Sequence, residues 1–249
     1  MKTVLITGCS SGFGLEIARY FLARDWQVIA TMRTPNADVL PPSEHLRVLA
    51  LDVTDPESIR QAVEAAGPID VLVNNAGFGA AAPAELAPMA TVRELFETNT
   101  FGTIAMTQAV LPQFRLRKAG VIVNVTSSVT LRALPLLAAY SASKAAVNAF
   151  TASTALEVEP LGVRIRLVLP GRAPGTRFGE NARTRMHGFD HEAYAPLANE
   201  VVARLQDTSS PITQSQDVAE AVWRAATDPS SPLRIVAGAD AQMWAAEAR

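Results

Sequence analysis

Cysteine, surplus charge of either sign and long apolar runs are what this sequence has least of. Its 249 residues include one cysteine, Cys9, so no disulfide can form within the chain and the fold must rest on its core. The 22 lysines and arginines against 24 aspartates and glutamates leave a net charge of −2. Nucleic-acid binders carry a clear basic excess, so no nucleic-acid partner is expected. No apolar stretch approaches the ~18 residues needed to span a bilayer. The first apolar run, Val4-Leu5-Ile6, reaches a glycine turn too soon for a secretion signal. No membrane partner is therefore expected, and a cytoplasmic location follows by default. What remains, 49% hydrophobic and 18% charged residues, suits a globular chain able to bury a sizeable core.

Short aliphatic runs alternate with longer stretches of helical periodicity. The runs lie at 4–6, 27–30, 46–50, 71–73, 121–125, 163–169 and 233–237, and helices are expected at about 12–24, 55–66, 99–117, 138–159 and 215–227. Near-continuous apolar strands separated by helices read as a parallel sheet covered on both faces. Asp55-Pro56-Glu57 opens one helix with a cap, a proline at the first position and an acid near the positive dipole end. Thr213 or Ser215 is expected to cap the last. With no repeat and no linker, residues 1–249 read as one doubly wound α/β domain of about seven strands. The stretch 172–212 is the exception, rich in arginine, proline and glycine and read as irregular. Long inserted loops often serve as lids. Arg172, Arg177, Arg183 and Arg185 there either clamp phosphates, attract an acidic substrate or stay solvated. Phe178, Met186, Phe189, Tyr194 and Leu197 would form its apolar underside.

After the first strand comes Thr7-Gly8-Cys9-Ser10-Ser11-Gly12-Phe13-Gly14, followed at once by the amphipathic segment from Leu15. A strand, a glycine turn and a helix N-terminus suit a pyrophosphate, because glycines allow close backbone approach and free N–H groups favour anions. Cys9 reads as a small buried filler. Further along, Tyr140 and Lys144 lie four apart in Tyr-Ser-Ala-Ser-Lys, on one face of a helix. A nearby ammonium stabilises a phenolate, so Tyr140 is expected to have a lowered pKa suited to acid–base work. Ser127, at the end of the fifth strand, can hold a substrate oxygen beside it; Ser128 also follows that strand.

These motifs resemble the short-chain dehydrogenase/reductase family, in its branch of about 250 residues, and the match spans nearly the whole chain. Thr7 to Gly14 resembles the family's coenzyme turn, Asn74-Asn75-Ala76-Gly77 its sheet-stabilising motif, and Tyr140 to Lys144 its active-site pair. Ser127 stands 13 residues before Tyr140, the family's spacing, which favours it over Ser128. The resemblance implies a Rossmann-like fold and a dehydrogenase or reductase that interconverts a carbonyl and an alcohol. Tyr140 would be the acid/base, Ser127 the oxygen-orienting donor, Lys144 the tuner of Tyr140 and binder of the nicotinamide ribose, and Asn99 the link to solvent. Coenzyme contacts would come from Gly8, Ser10, Ser11, Gly12, Phe13, Gly14, Asn75, Ala76 and Gly77. Asp52-Val53 resembles the adenine-contacting pair, with a role as a cap approaching the next helix equally open; Asn74 is equally readable as a purely structural bridge. Pro170-Gly171 resembles the loop at the nicotinamide face, and Thr176, displaced one residue by Pro174, is the threonine that would hold the carboxamide.

A coenzyme with a free ribose 2′-hydroxyl is usually held by an acid at the end of the second strand. Here Ala30-Thr31-Met32-Arg33 has none: Met32 occupies the acid's place and Arg33 offers a planar cation for a phosphate, with Ser11 beside it. NADP(H) is expected over NAD(H), and no metal. The substrate is not legible. The turn Thr-Gly-Cys-Ser-Ser-Gly and the Met-Arg pair resemble those of hydroxysteroid and retinol dehydrogenases, which makes a hydrophobic ketone or secondary alcohol one candidate. A non-catalytic NADP(H)-binding regulator on the same fold is the alternative. The resemblance also implies a homodimer or homotetramer through the helices at 99–117 and 138–159, where Ala138, Ala139, Ala142, Ala145, Ala146 and Ala149 allow close packing.

Overall fold

A computed structural model describes residues 1–207 and 209–247. The seven apolar runs are strands of one sheet: β1 (Thr3–Ile6), β2 (Gln27–Met32), β3 (Leu46–Ala50), β4 (Val71–Asn74), β5 (Gly120–Val125), β6 (Val163–Pro170) and β7 (Arg234–Ala237). All neighbours are parallel, in the order β3-β2-β1-β4-β5-β6-β7. The order reverses between β1 and β4, so the chain leaves their carboxyl ends in opposite directions and opens a crevice there, where ligands of such sheets bind.

Side chains alternate across the sheet as a strand's period of two requires. Val4, Ile6, Val28, Ala30, Val71, Val73, Val121 and Val123 meet the helices α1 (Gly12–Leu22) and α8 (Ser215–Thr227) on one face. Leu5, Ile29, Leu72 and Ile122 meet α2 (Pro56–Ala66) and α4 (Gly102–Arg117) on the other, with the end of α5 (Ala138–Val158). α1 packs directly on α8 through an aromatic cluster, with Phe21, Trp26 and Trp223 meeting edge-on at 5.1–5.6 Å between ring centroids. Asp55 caps α2 as expected, its carboxylate accepting from the Glu57 N–H.

The helix expected over 99–117 begins earlier. α3 (Met89–Leu95) runs into a π-helical turn at Phe96–Phe101 before regular α-helix resumes at Gly102. α8 is capped by neither Thr213 nor Ser215: Gln214 and Asp217 form a reciprocal capping box. Thr213 is buried and engaged elsewhere. The stretch 172–212 is not irregular either. It carries α6 (Phe178–Arg183) and α7 (Ala195–Gln206), while Thr208 lies outside the described residues. α7 has Pro196 in its first turn and apolar residues at 197, 198, 201, 202 and 205, a helical stripe masked by the surrounding arginines and glycines. α6, at six residues, is too short to show a period. A last helix, α9 (Ala239–Glu247), follows β7. No helix among the described residues is long and apolar enough to cross a membrane.

Candidate active site

The glycine turn is pinned to the loop after β4. The Thr7 hydroxyl accepts from the N–H groups of Asn75 (3.0 Å) and Ala76 (2.9 Å), and the Asn75 amide donates back to the carbonyls of Thr7 (2.9 Å) and Gly8 (3.2 Å). Gly8 and Gly12 have φ of +75° and +59°, where side chains are disfavoured. A Cβ on Gly14 would lie 2.3 Å from the Gly8 carbonyl oxygen, so helix and turn approach as closely as backbone allows. Ser11 caps α1 without a side-chain hydrogen bond, and the first turn holds no acid. The helix thus presents free N–H groups and an uncompensated positive dipole end into the crevice, a cradle that fits a pyrophosphate. Phe13 packs against the core, Ser10 faces solvent, and Cys9 is a buried filler whose thiol burial pushes up to about 12.

On the adenosine side, Arg33 is exposed just beyond β2, while Met32 is buried in the core cluster with Cys9 and Leu40. The position read as the acid's place is therefore an inward one. Asp52 accepts from the N–H (2.9 Å) and hydroxyl (2.7 Å) of Thr54. Its carboxyl is held below the usual range, first by the Thr54 N–H, against burial, with Arg33 adding a smaller pull. The carboxylate is engaged within its own turn, three residues before the Asp55 cap of α2. Val53 packs so tightly on Gly102 that a Cβ there would meet it at 2.7 Å, which places the start of α4.

Tyr140 and Lys144 lie one turn apart on α5, both buried, with Ser127 facing the phenol from the end of β5. The Ser127 Oγ accepts from the Val129 N–H at 3.3 Å, which leaves its proton free for a partner in the crevice; Ser128 is buried in the short turn that follows. Lys144 Nζ donates to the Val125 carbonyl at 3.2 Å. Burial pushes the Tyr140 phenol up to about 12, opposed by the Ser127 hydroxyl, and pushes Lys144 down to about 8. The expected lowering of Tyr140 by the neighbouring ammonium is thus reversed. Desolvation of the buried phenol dominates, with the Ser127 hydroxyl the opposing influence, while Lys144 is itself desolvated and turned to the Val125 carbonyl.

Asn99 sits in the π-helical turn with its amide fully committed. Oδ1 accepts from Phe78 N–H (3.0 Å), and Nδ2 donates to the Phe78 carbonyl (3.0 Å) and the Ser143 hydroxyl (3.1 Å). It touches Gly77 so closely that a Cβ there would lie 2.8 Å from Oδ1 and 3.2 Å from Lys144 Nζ, which brings Asn99, Gly77 and Lys144 together. Asn74 takes the structural alternative: its amide donates to Asn124 (2.9 Å) and Thr107 (3.2 Å), and Asn124 donates to Thr151 (2.8 Å), tying β4 and β5 to α4 and α5.

The segment after β6 lies over this group. The Phe178 ring stands 5.8 Å from that of Tyr140 and so close to Gly79 that a Cβ there would meet it at 2.8 Å. Met186 forms a strand-like bridge with Ala81, Arg185 stacks on Phe78 at 4.5 Å, and the Tyr194 hydroxyl donates to Glu85. The arginines divide. Arg172 bonds the carbonyls of Leu205 (2.7 Å) and Asp207 (2.9 Å), closing the end of α7; Arg177 pairs with Glu180, and Arg183 is exposed. The Thr176 methyl lies 3.8 Å from where a Gly12 Cβ would stand, which brings Thr176 to the glycine turn. Sequence reasoning missed Asp240, whose buried carboxylate accepts from the Arg172 N–H beside Pro170-Gly171; its only signal is the Ala-Gly-Ala-Asp after the last strand.

The family described as short chain dehydrogenase matches residues 2–186. The chain belongs to the short-chain dehydrogenase family. It is 36% identical over 238 residues to the uncharacterized oxidoreductase YusZ of Bacillus subtilis (strain 168), covering 91% of this chain and 85% of the relative. A short-chain dehydrogenase structure from Streptomyces avermitilis superposes with a TM-score of 0.85 at 31% identity, covering 99% of this chain and 91% of that one. The closed form of a serine dehydrogenase complexed with NADP+ matches at 0.82 and 27%, covering 95% and 94%. Solved neighbours carry NADP or NADH. This short-chain dehydrogenase is accordingly an oxidoreductase with the Rossmann-like fold of its family.

Proposed function

We propose that the protein is an NADP(H)-dependent oxidoreductase that interconverts a carbonyl and an alcohol, with Tyr140 as its general acid/base. The observation that carries this reading is the burial of Tyr140 and Lys144 on one face of α5, with Ser127 facing the phenol, at the sheet end that also holds the glycine turn. When bound, the coenzyme supplies or takes up a hydride, so each turnover moves two electrons and one proton on one carbon and a second proton on oxygen. Ser127 donates to the substrate oxygen and holds it beside the phenol. In reduction Tyr140 gives its proton to that oxygen; in oxidation it takes the proton back. A phenol pushed up to about 12 keeps its proton at neutral pH, which is the form that reduction consumes. Lys144 supplies the positive charge that eases loss of that proton, and Asn99, bonded to Phe78 and Ser143 beside it, would link the pair to solvent.

The coenzyme turn and the 75–77 loop would hold the pyrophosphate and adenosine ribose. The choice of NADP(H) rests on exposed Arg33 and on the absence of an acid at the end of β2. An apolar cavity beside the site, walled by Ala80, Leu95, Leu136 and Ala139 with Arg185 and His187 at its roof, supports a hydrophobic ketone or secondary alcohol as substrate. Exposed Leu116 on α4, Phe101 just before it and Leu156 on α5 support a homo-oligomer formed through α4 and α5. The test is a screen of ketones, aldehydes and secondary alcohols read by NADPH absorbance, with Tyr140→Phe as control. Turnover equal in both proteins would overturn the assignment of Tyr140, and binding of NADPH without turnover of any compound would favour the regulator.

A further inference from the structure

The segment between β6 and α8 leaves the sheet and returns to the place it left. The Thr213 N–H donates to the Arg172 carbonyl at 2.8 Å, so the excursion from 173 to 212 has a narrow neck. A buried carboxylate grips that neck from a third part of the chain. Asp240, in the first turn of α9, is 3% exposed and accepts from the Arg172 N–H and from the Thr213 hydroxyl, each at 2.6 Å. The same Thr213 oxygen accepts from the Gly171 N–H at 3.0 Å. Two glycines make the contact possible. A Cβ on Gly171 would lie 2.2 Å from an Asp240 carboxylate oxygen, and one on Gly238 (φ +98°) would lie 1.9 Å from Thr213 Oγ1. Because the Arg172 side chain also closes the end of α7, neck and lid are mechanically joined. Hydrogen bonds to an ionised acceptor in a buried site are the strong kind.

We propose that Asp240 is a positioning residue for the coenzyme: through Thr213 and Arg172 it sets Pro170-Gly171 against the nicotinamide and holds both roots of the lid. The reading rests on the proposed function, in which 170–171 meets the coenzyme. It makes α9, remote in sequence from the coenzyme motifs, a determinant of coenzyme affinity.

The test compares Asp240→Asn, Asp240→Ala, Gly171→Ala and the double variant Gly171→Ala/Asp240→Ala. NADPH dissociation constants are read by fluorescence, and amide hydrogen exchange is followed in 173–207 and in β1, β4 and β5. Asp240→Asn, which keeps the shape and loses the charge, is expected to weaken NADPH by about tenfold, the scale of a lost hydrogen bond to a charged group. KM for NADPH should rise more than kcat falls, and exchange should quicken in 173–207 while the strands keep their protection. Gly171→Ala should show the same losses, and the double variant should be no worse than Asp240→Ala, since the clash is with the carboxylate itself. Unchanged NADPH affinity in Asp240→Asn, exchange quickened evenly through the sheet, or additive losses in the double variant would each overturn the proposal. A wild type that binds neither dinucleotide would overturn the proposed function instead, and the exchange pattern of Asp240→Asn would still decide whether the carboxylate holds the neck.

Discussion

The glycine turn and the 172–212 segment, the proposed lid, cover the same end of the sheet, yet they are held by different means. The turn is fixed by side-chain-to-backbone hydrogen bonds from Thr7 and Asn75 and by Gly8 and Gly14, each in close contact with backbone. Among the described residues the 172–212 segment rests on a bridge at Ala81, on contacts such as Phe178 against Tyr140, Tyr194 to Glu85 and Arg185 on Phe78, and on the buried neck. Local stability follows buried contact and protected hydrogen bonds. Under the proposed function the difference implies a division of labour: groups that meet reacting atoms would stand on the rigid side, and fit to the substrate would be left to the side that can yield. Changes on the rigid side should therefore strike kcat, and changes on the lid should strike KM.

The sharpest way to break this contrast is at Tyr140. Tyr140→Phe is expected to lower kcat by at least roughly a hundredfold, the scale of general acid–base catalysis, while NADPH titration stays near wild type. Next comes the serine pair. Ser127→Ala should cost kcat/KM far more than Ser128→Ala, because Ser127 alone faces the phenol; steady-state rates in the reverse order would move the role to Ser128. On the adenosine side, Arg33→Ala should remove a preference for NADPH over NADH on the order of ten- to a hundredfold, since a charge-assisted bond contributes about 1.5–3 kcal/mol. Paired titrations at low and high salt check it, and salt should erode the wild-type preference because the arginine is exposed. Met32→Asp is a poor partner for that experiment, as it would bury a carboxylate in the core.

A smaller effect concerns pH. With Lys144 lowered to about 8 from 10.5, the folded chain releases a proton in that window which the unfolded chain keeps, so this group makes stability rise with pH there. With Tyr140 raised to about 12 from 10.0, the folded chain keeps a proton that the unfolded one loses, so this group makes stability fall across the higher window. Thermal unfolding from pH 7 to 9, below the window in which Cys9, raised to about 12 from 9.0, makes stability fall, should show the first slope in wild type and lose it in Lys144→Met. The smallest change is expected from Gly79→Ala on the lid side. Its new methyl would press on the edge of the Phe178 ring, which can swing away, with Ala182 Cβ in ordinary contact at 3.6 Å, so KM for substrate should shift a few-fold with kcat held. A kcat loss as large as that of Tyr140→Phe would mean that lid and active site are not separable as described.

How much of this was legible in the sequence follows the same division. The strands were plain because most are near-continuous apolar runs, and the glycine turn, Tyr140 and Lys144 were plain because their spacing is local. The lid was misread because α6 is too short to show a period and the stripe of α7 is broken by its surroundings. The neck was invisible because it joins Gly171, Thr213 and Asp240, separated by dozens of residues, and only the closed sheet brings them together. The Tyr140 shift was misjudged because a sequence displays the neighbouring charge but not the enclosure that outweighs it.

The aromatic cluster that joins α1 to α8 carries a consequence for biosynthesis. Phe21 and Trp26 leave the ribosome early, but Trp223, which covers them, follows about two hundred residues later. At about 5–20 residues per second that is an interval of roughly 10–40 s. Through it the helix behind the coenzyme turn lacks its partner layer, so the nascent chain presents an apolar face that a holding chaperone would recognise. The N-terminal part, which carries the coenzyme turn, thus gains its final stability only when the last third of the chain has been made.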